Sequence, residues 1–219
     1  LNALHCAEKY GINRIITAIS SCSYPDLEGE ISEYDFWDGL PNTTVDCHGL
    51  SKRVLDGFGM QLAKKGFKYT SCIINNSFGP FDSIDLNKTK VVTAMIVRFL
   101  KAIKNGDSEI VCWGSGRPKR EFIYSKDAAE ALVKCFLLKD PPKRINISSG
   151  HEISIKDLAE KIKKLTGFSG DIKWDLDKPD GQDQKKLSLN LMKCLINFKI
   201  TDFDEALQET IKWVDCQLS

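Results

Sequence analysis

"SKRVLDGFGMQLAKKGFKYTSCIINNSFGP", residues 51–80, passes from one structural period to another without a break. With the residue before it, the first part repeats apolar side chains at helical spacing. Leu50, Val54, Leu55, Phe58 and Leu62 fall on one stripe, and Gly66 reads as the stop. "FKYTSCIIN" is short, apolar and β-branched, the pattern of a buried strand, and "NSFGPFD" reads as the turn that ends it. Helix, glycine and strand in that order form half of a βαβ unit.

The same alternation extends in both directions. Upstream, "LNALHCAEKYG" reads as a helix closed by Gly11, "NRIITAIS" as a buried strand, and the stretch with Pro25, Gly29, Gly39 and Pro41 as an acidic loop. Downstream, "KTKVVTAMIVRFLKAIKNG" and "SKDAAEALVKCFLLKD" read as helices, "SEIVCWG" and "RINISSG" as strands. Strands alternating with helices argue for a parallel sheet covered on its faces. The last third differs: "SIKDLAEKIKKLTG" and "DFDEALQETIKWVDCQ" read as amphipathic helices around the short strand and loop of "GDIKWDLDKPDGQ". The expected division is a Rossmann-like part over residues 1–150, with a substrate-side segment near 82–106, and a smaller α+β substrate subdomain over 151–219.

Composition narrows the function. Hydrophobic residues are 42% of the chain and charged residues 28%, enough for a sizeable core. The net charge of +1 gives no electrostatic case for nucleic acid or an anionic membrane. No apolar run is long enough to span a bilayer. Cysteines 6, 22, 47, 72, 112, 135, 194 and 216 are scattered singly, without a CxxC, and there are only three histidines. Reduced thiols in a cytoplasmic protein without metal are the expectation. The chain opens at Leu1 inside a helical pattern, which points to a fragment or a missing beginning.

Ligands of open α/β sheets sit beyond the carboxyl ends of the strands. "SSCSYP", "NNSFGP", "WGSGRPKREF" and "SSGHEIS" all follow expected strands, and they gather Ser, Cys, Asn and Arg. Trp113 offers a flat surface and Arg120 a guanidinium fork that suits phosphate oxygens; Arg117 and Lys119 read as solvated charges. GSG in this stretch lacks a third glycine and meets Pro118 where a helix should start, so it is not a dinucleotide fingerprint. "DKPDGQDQKK" places Asp180, Lys185 and Lys186 in a polar loop. At the head of the long helix, His48 and Lys52 stand four apart and share a face.

Taken in order, "SSCSYP", the Lys52 helix, "NNSFGP", "VVTAMIVRF", "WGSGRPKREFIYSKDAA", "INISSG", "SIKDLAEKI" and "DKPDGQ" with its following lysines resemble the extended short-chain dehydrogenase/reductase (NAD-dependent epimerase/dehydratase) family. Within it they look most like GDP-L-fucose synthases, and the matching pieces run through nearly the whole chain. The resemblance implies NADPH-dependent 3,5-epimerisation and 4-keto reduction of GDP-4-keto-6-deoxymannose. It also implies roles. Ser20 would stand near the sugar carbonyl, and Cys22 would be an epimerisation acid/base. Lys52 would hold the nicotinamide ribose, with Ser20 and Asn76 also on the cofactor side. Arg98, Trp113, Arg120, Asp180 and Lys185 would grip a GDP-sugar. Helices 1–10 and 48–65 would form a homodimer interface.

Three departures stand out. His48 occupies the family's catalytic tyrosine position, and histidine titrates near 6.5 where tyrosine titrates near 10. Lys90 replaces the second epimerisation residue, a histidine. The first βαβ units, with the GxxGxxG loop that holds the cofactor diphosphate on a helix N-terminus, are absent from the sequence. The expected fold is therefore the C-terminal part of a Rossmann-like parallel sheet flanked by helices. Two functional expectations follow: a diverged nucleotide-sugar epimerase/reductase, or a nucleotide-sugar binding or regulatory homologue that transfers no hydride. A purely structural partner binding neither ligand is a third.

Overall fold

A computed structural model describes residues 1–43, 46–180 and 184–219. In chain order the elements begin α1 (Asn2–Lys9), β1 (Arg14–Ser20), β2 (Glu30–Ile31), α2 (Asp46–Lys64), β3 (Lys68–Ile74), β4 (Asn76–Phe78), α3 (Val91–Asn105), β5 (Glu109–Trp113) and β6 (Lys119–Tyr124). They continue with α4 (Ser125–Leu137), β7 (Arg144–Ile147), β8 (Glu152–Ser154), α5 (Ile155–Thr166), β9 (Asp171–Asp175), β10 (Gln184–Leu187), α6 (Asn190–Leu195) and α7 (Phe203–Leu218). Two compact units emerge: residues 1–76, 127–150 and 186–199 form the first, and residues 77–126, 151–185 and 200–219 the second.

In the first unit β1, β3 and β7 form a parallel sheet in that order. Register aligns Ser20 with Ile74 and Ile74 with Ile147, so the three strands finish at one level. Helix α2 crosses over this sheet at very short range. A Cβ on Gly59 would lie within about 2 Å of the Tyr69 ring, which no side chain tolerates. Tyr69 in turn shares hydrogen bonds with Thr17 Oγ1 (2.7 Å) and Ser71 Oγ (2.8 Å).

The inward face of α2 corrects the sequence reading. Leu62 is buried, but Leu50 is 42% and Val54 57% exposed. Arg53 and Asp56 are buried instead. Asp56 accepts from Arg144 Nε (3.0 Å) and Nη2 (2.7 Å), Ser71 Oγ (2.7 Å) and Trp37 Nε1 (3.2 Å). Arg53 donates to the backbone carbonyls of Ser23 (2.7 Å) and Gly39 (2.5 Å). A loop whose carbonyls need donors has drawn Arg53 and Asp56 inward, and only the start of the apolar stripe, Leu50 and Val54, is left outside, while Leu55 and Phe58 pack with Leu62 against the core.

The second unit has its own core. Helices α3, α5 and α7 pack with β5 and β6 around Phe99, Phe122, Leu158 and Leu207, all buried. Phe99 meets Phe168 edge-on at 5.5 Å, and α3 ends at Gly106 in the left-handed conformation. β5 pairs with β9 in parallel, β6 with β8 antiparallel, and Gln184–Lys185 of β10 with Lys119–Arg120 of β6 in parallel. Two expectations are corrected here. "KREF", taken with the stretch beyond the end of a strand, belongs to a strand of its own, and "QKKL", whose "QKK" was taken as part of a polar loop, is another. Both were disguised because a strand with charged residues on one side shows little apolar signal.

Candidate functional site

The first unit builds a polar layer at the carboxyl ends of its strands. Ser20 is the last residue of β1, and its Oγ accepts from the Cys22 backbone N–H (3.2 Å), capping the tight turn Ser21–Ser23. This use of the Ser20 oxygen leaves its O–H available as a donor. Ser21 Oγ donates to Asn75 Oδ1 (3.1 Å), and Asn75 Nδ2 reaches Ser148 Oγ at 3.5 Å. Strand ends of β1, β3 and β7 are thus tied side chain to side chain. Asn76, the expected cofactor residue, is exposed and donates through Nδ2 to Asn75 Oδ1 (3.0 Å). The "WGSGRPKREF" loop does not belong to this edge, because β5 pairs with β9 in a separate sheet.

The start of α2 is seated directly on that turn. Gly49 is buried, and a Cβ there would stand 2.5 Å from the Cys22 carbonyl oxygen and 2.8 Å from Pro41 Cβ. Glycine permits this approach, and it brings the turn carrying His48 and Lys52 against Cys22. His48 is exposed, while Lys52 and Cys22 are half-buried. Ser51 Oγ donates to the His48 carbonyl (2.7 Å). Lys90 belongs to the second unit, where it is exposed and forms the N-cap of α3 without a side-chain cap bond.

All five residues expected to grip the ligand lie in the second unit, in two described groupings and one separate role. Arg98 of α3 places its guanidinium carbon 5.5 Å from the centre of the Trp113 ring, and Lys178 places Nζ 5.7 Å from it. Trp113 is 62% exposed. Parallel register sets Lys185 beside Arg120, the first buried and the second half-buried. Asp180 does something else: its oxygens accept from the Ser115 backbone N–H (2.5 Å) and Oγ (2.7 Å). Those two bonds, the hydroxyl's first, hold its carboxyl below the usual range. Arg117 and Lys119 are exposed as expected.

The reading from sequence missed Arg53, Asn75, Asn146 and Lys178. Asn146 lies buried in β7 and accepts from the Tyr24 hydroxyl (2.6 Å), while Nδ2 donates to the carbonyls of Ile31 (3.2 Å) and Ser188 (3.1 Å). A lone amide inside the apolar run "INI" was its signal.

Residues 1–148 match the NAD dependent epimerase/dehydratase family. The chain belongs to that family. Among its members, the GDP-L-fucose synthase of Sinorhizobium fredii is 36% identical over 193 residues, 85% of this chain and 60% of the relative. GDP-L-fucose synthase 1 of Arabidopsis thaliana is 30% identical over 217 residues, 97% of this chain and 66% of the relative. A crystal structure of a GDP-L-fucose synthetase from Naegleria fowleri bound to NADP is similar with a TM-score of 0.89 at 31% identity, over 97% of this chain and 69% of that one. This epimerase/dehydratase chain therefore spans about two thirds of the length of such relatives. Among its described residues, no helix is long and apolar enough to cross a membrane.

Proposed function

We propose that this chain is the substrate-binding and proton-handling part of a cytoplasmic nucleotide-sugar epimerase/reductase that acts on a GDP-sugar, and that uses NADP(H) where an N-terminal part is present. The observation that carries the reading is the pairing of Lys185 with Arg120 on adjacent strands. Strand register places the two cationic residues side by side, a spacing that suits a diphosphate lying across both. Trp113, with Arg98 beside it, gives a flat face for a base or sugar.

Bound NADPH would supply the hydride. Lys52, half-buried on α2 near the Ser20–Ser23 turn, suits the nicotinamide-ribose end, together with Ser20 and Asn76. The diphosphate end needs a glycine-rich loop, which these residues do not contain. Beside Cys22, His48 has the tyrosine's place in the helix and donates a proton to the sugar oxygen as it gains charge. Cys22 and Lys90 serve the epimerisation steps. The homodimer uses α1 and α2, whose outer face exposes Leu50 and Val54 around a cavity of about 750 Å³ that Phe58 and Leu40 also line.

A second reading, nucleotide-sugar binding without hydride transfer, is favoured by the exposure of His48 and Lys90, because proton donors normally work in shielded sites. NADPH oxidation with GDP-4-keto-6-deoxymannose separates the two. The first reading expects turnover by the wild type, lost in His48→Ala and retained in His48→Tyr. A wild type that binds the GDP-sugar yet oxidises no NADPH refutes it.

A further inference from the structure

Trp113 has a neighbour that the family roles do not include. Lys178 stands in the exposed turn after β9, where its backbone N–H donates to the Asp175 carbonyl (3.3 Å), and its Nζ approaches the same indole as Arg98. The half-buried Arg98 and the exposed Lys178 repel each other across one exposed aromatic ring, and a cation–π contact is a weak return for that repulsion. An anion arriving at this ring finds both charges already in place.

Asp180, two residues further on, has its carboxylate committed. One oxygen takes the Ser115 backbone N–H and the other takes the Ser115 hydroxyl, at 2.5 and 2.7 Å. The loop they hold is fixed at other points as well. Gly114 N–H donates to the Asp175 carbonyl (2.9 Å), and the Gly116 carbonyl accepts from Lys156 N–H (2.9 Å). Gly116 lies so close over the Trp174 ring that a Cβ would come within 2.7 Å of it. Both ends of the Asp175–Asp180 turn are therefore pinned to the loop that begins at Trp113.

We propose that Lys178 is a ligand-binding cation that takes a diphosphate oxygen of the nucleotide at Trp113, and that Asp180 is a positioning residue acting through Ser115. This rests on the nucleotide-diphosphate reading above and reassigns which side chain of the turn meets the ligand. Lys178 supplies charge; Asp180 fixes where that charge and the indole sit.

Titration of the full-length protein with GDP, and separately with inorganic pyrophosphate, tests it. Lys178→Met is expected to bind GDP about five- to tenfold more weakly at low salt, with an unchanged melting temperature. Its remaining affinity should be less salt-sensitive than that of the wild type. Asp180→Asn and Ser115→Ala should each weaken GDP binding, and the double variant should be no worse than Asp180→Asn alone. Wild-type affinity in Lys178→Met overturns the role of Lys178. Additive losses in the double variant show that Asp180 meets the ligand directly and overturn its role as a buckle. Ser115→Ala carries the comparison if Asp180→Asn does not fold. A wild type that binds pyrophosphate but not GDP refutes the nucleotide reading alone, because Lys178 is then still tested with pyrophosphate. Binding of neither overturns both.

Discussion

Replacing Asp56 with Asn tests how α2 is held over its sheet. The carboxylate is fully buried and takes four donors: two from Arg144, one from Ser71 and one from Trp37. An amide keeps the shape and one acceptor oxygen, but it turns an NH₂ toward donors and removes the only charge in direct ion pairing with the Arg144 guanidinium among the described contacts. Breaking a buried pair from one side costs about 3–5 kcal/mol, because the surviving charge is left uncompensated. The Arg144 side chain is 20% exposed, and its guanidinium lies 5.0 Å from the Phe36 ring centre, so part of its charge keeps other company. The low end, about 3 kcal/mol, is the expectation.

With a urea slope near 3 kcal/mol per M, as suits a chain of this size, the midpoint should fall by about 1 M. The companion variant decides the cause. Asp56→Asn with Arg144→Met removes both charges and should recover part of that loss. A midpoint shift under about 0.3 M, or a double variant that loses the sum of the two single losses, would sink the idea of a buried charge pair anchoring α2.

Gly49→Ala pushes a methyl into the Cys22 carbonyl, and overpacking of this kind costs about 1–3 kcal/mol. It should lift the start of α2 off the Ser20–Ser23 turn, and faster labelling of Cys22 by a thiol reagent would report that movement. Alkaline pH acts on two tyrosines. Burial, its largest cause in each case, pushes the phenols of Tyr24 and Tyr69 upward, Tyr24 far upward. Their folded values exceed the unfolded value of about 10, so the stability they contribute is intact below pH 10 and lost progressively above it. Their ionisation, followed at 295 nm, should therefore coincide with the loss of far-UV ellipticity; ionisation of both in a chain that remains folded contradicts the burial argument.

Helix α2 shows where sequence reading succeeds and where it stops. Its position, length and end were legible, because helical period and a closing glycine are local signals. So were β1, β3 and β7 and the polar residues at their tips. The direction in which α2 faces was not legible, since hydrophobicity alone assigns the apolar stripe to the core. Besides Leu62, the inward face holds Gly49, Arg53, Asp56 and Gly59, a stripe of the same helical period written in glycines and charges. Only the loop carbonyls of Ser23 and Gly39 and the guanidinium of Arg144 explain it, and these come from distant parts of the chain. Lys185 and Arg120 were both expected at the ligand from sequence, but that they are strand neighbours became visible only through register. The exposure of Leu50 and Val54 has a mechanical consequence. Leu50 and Val54 are exposed within one turn of His48 and Lys52, so whatever covers that outer face presses on the same turn that Gly49 seats against Cys22. If the assembly and the proton handling proposed above both use this helical turn, a change that loosens one is expected to disturb the other.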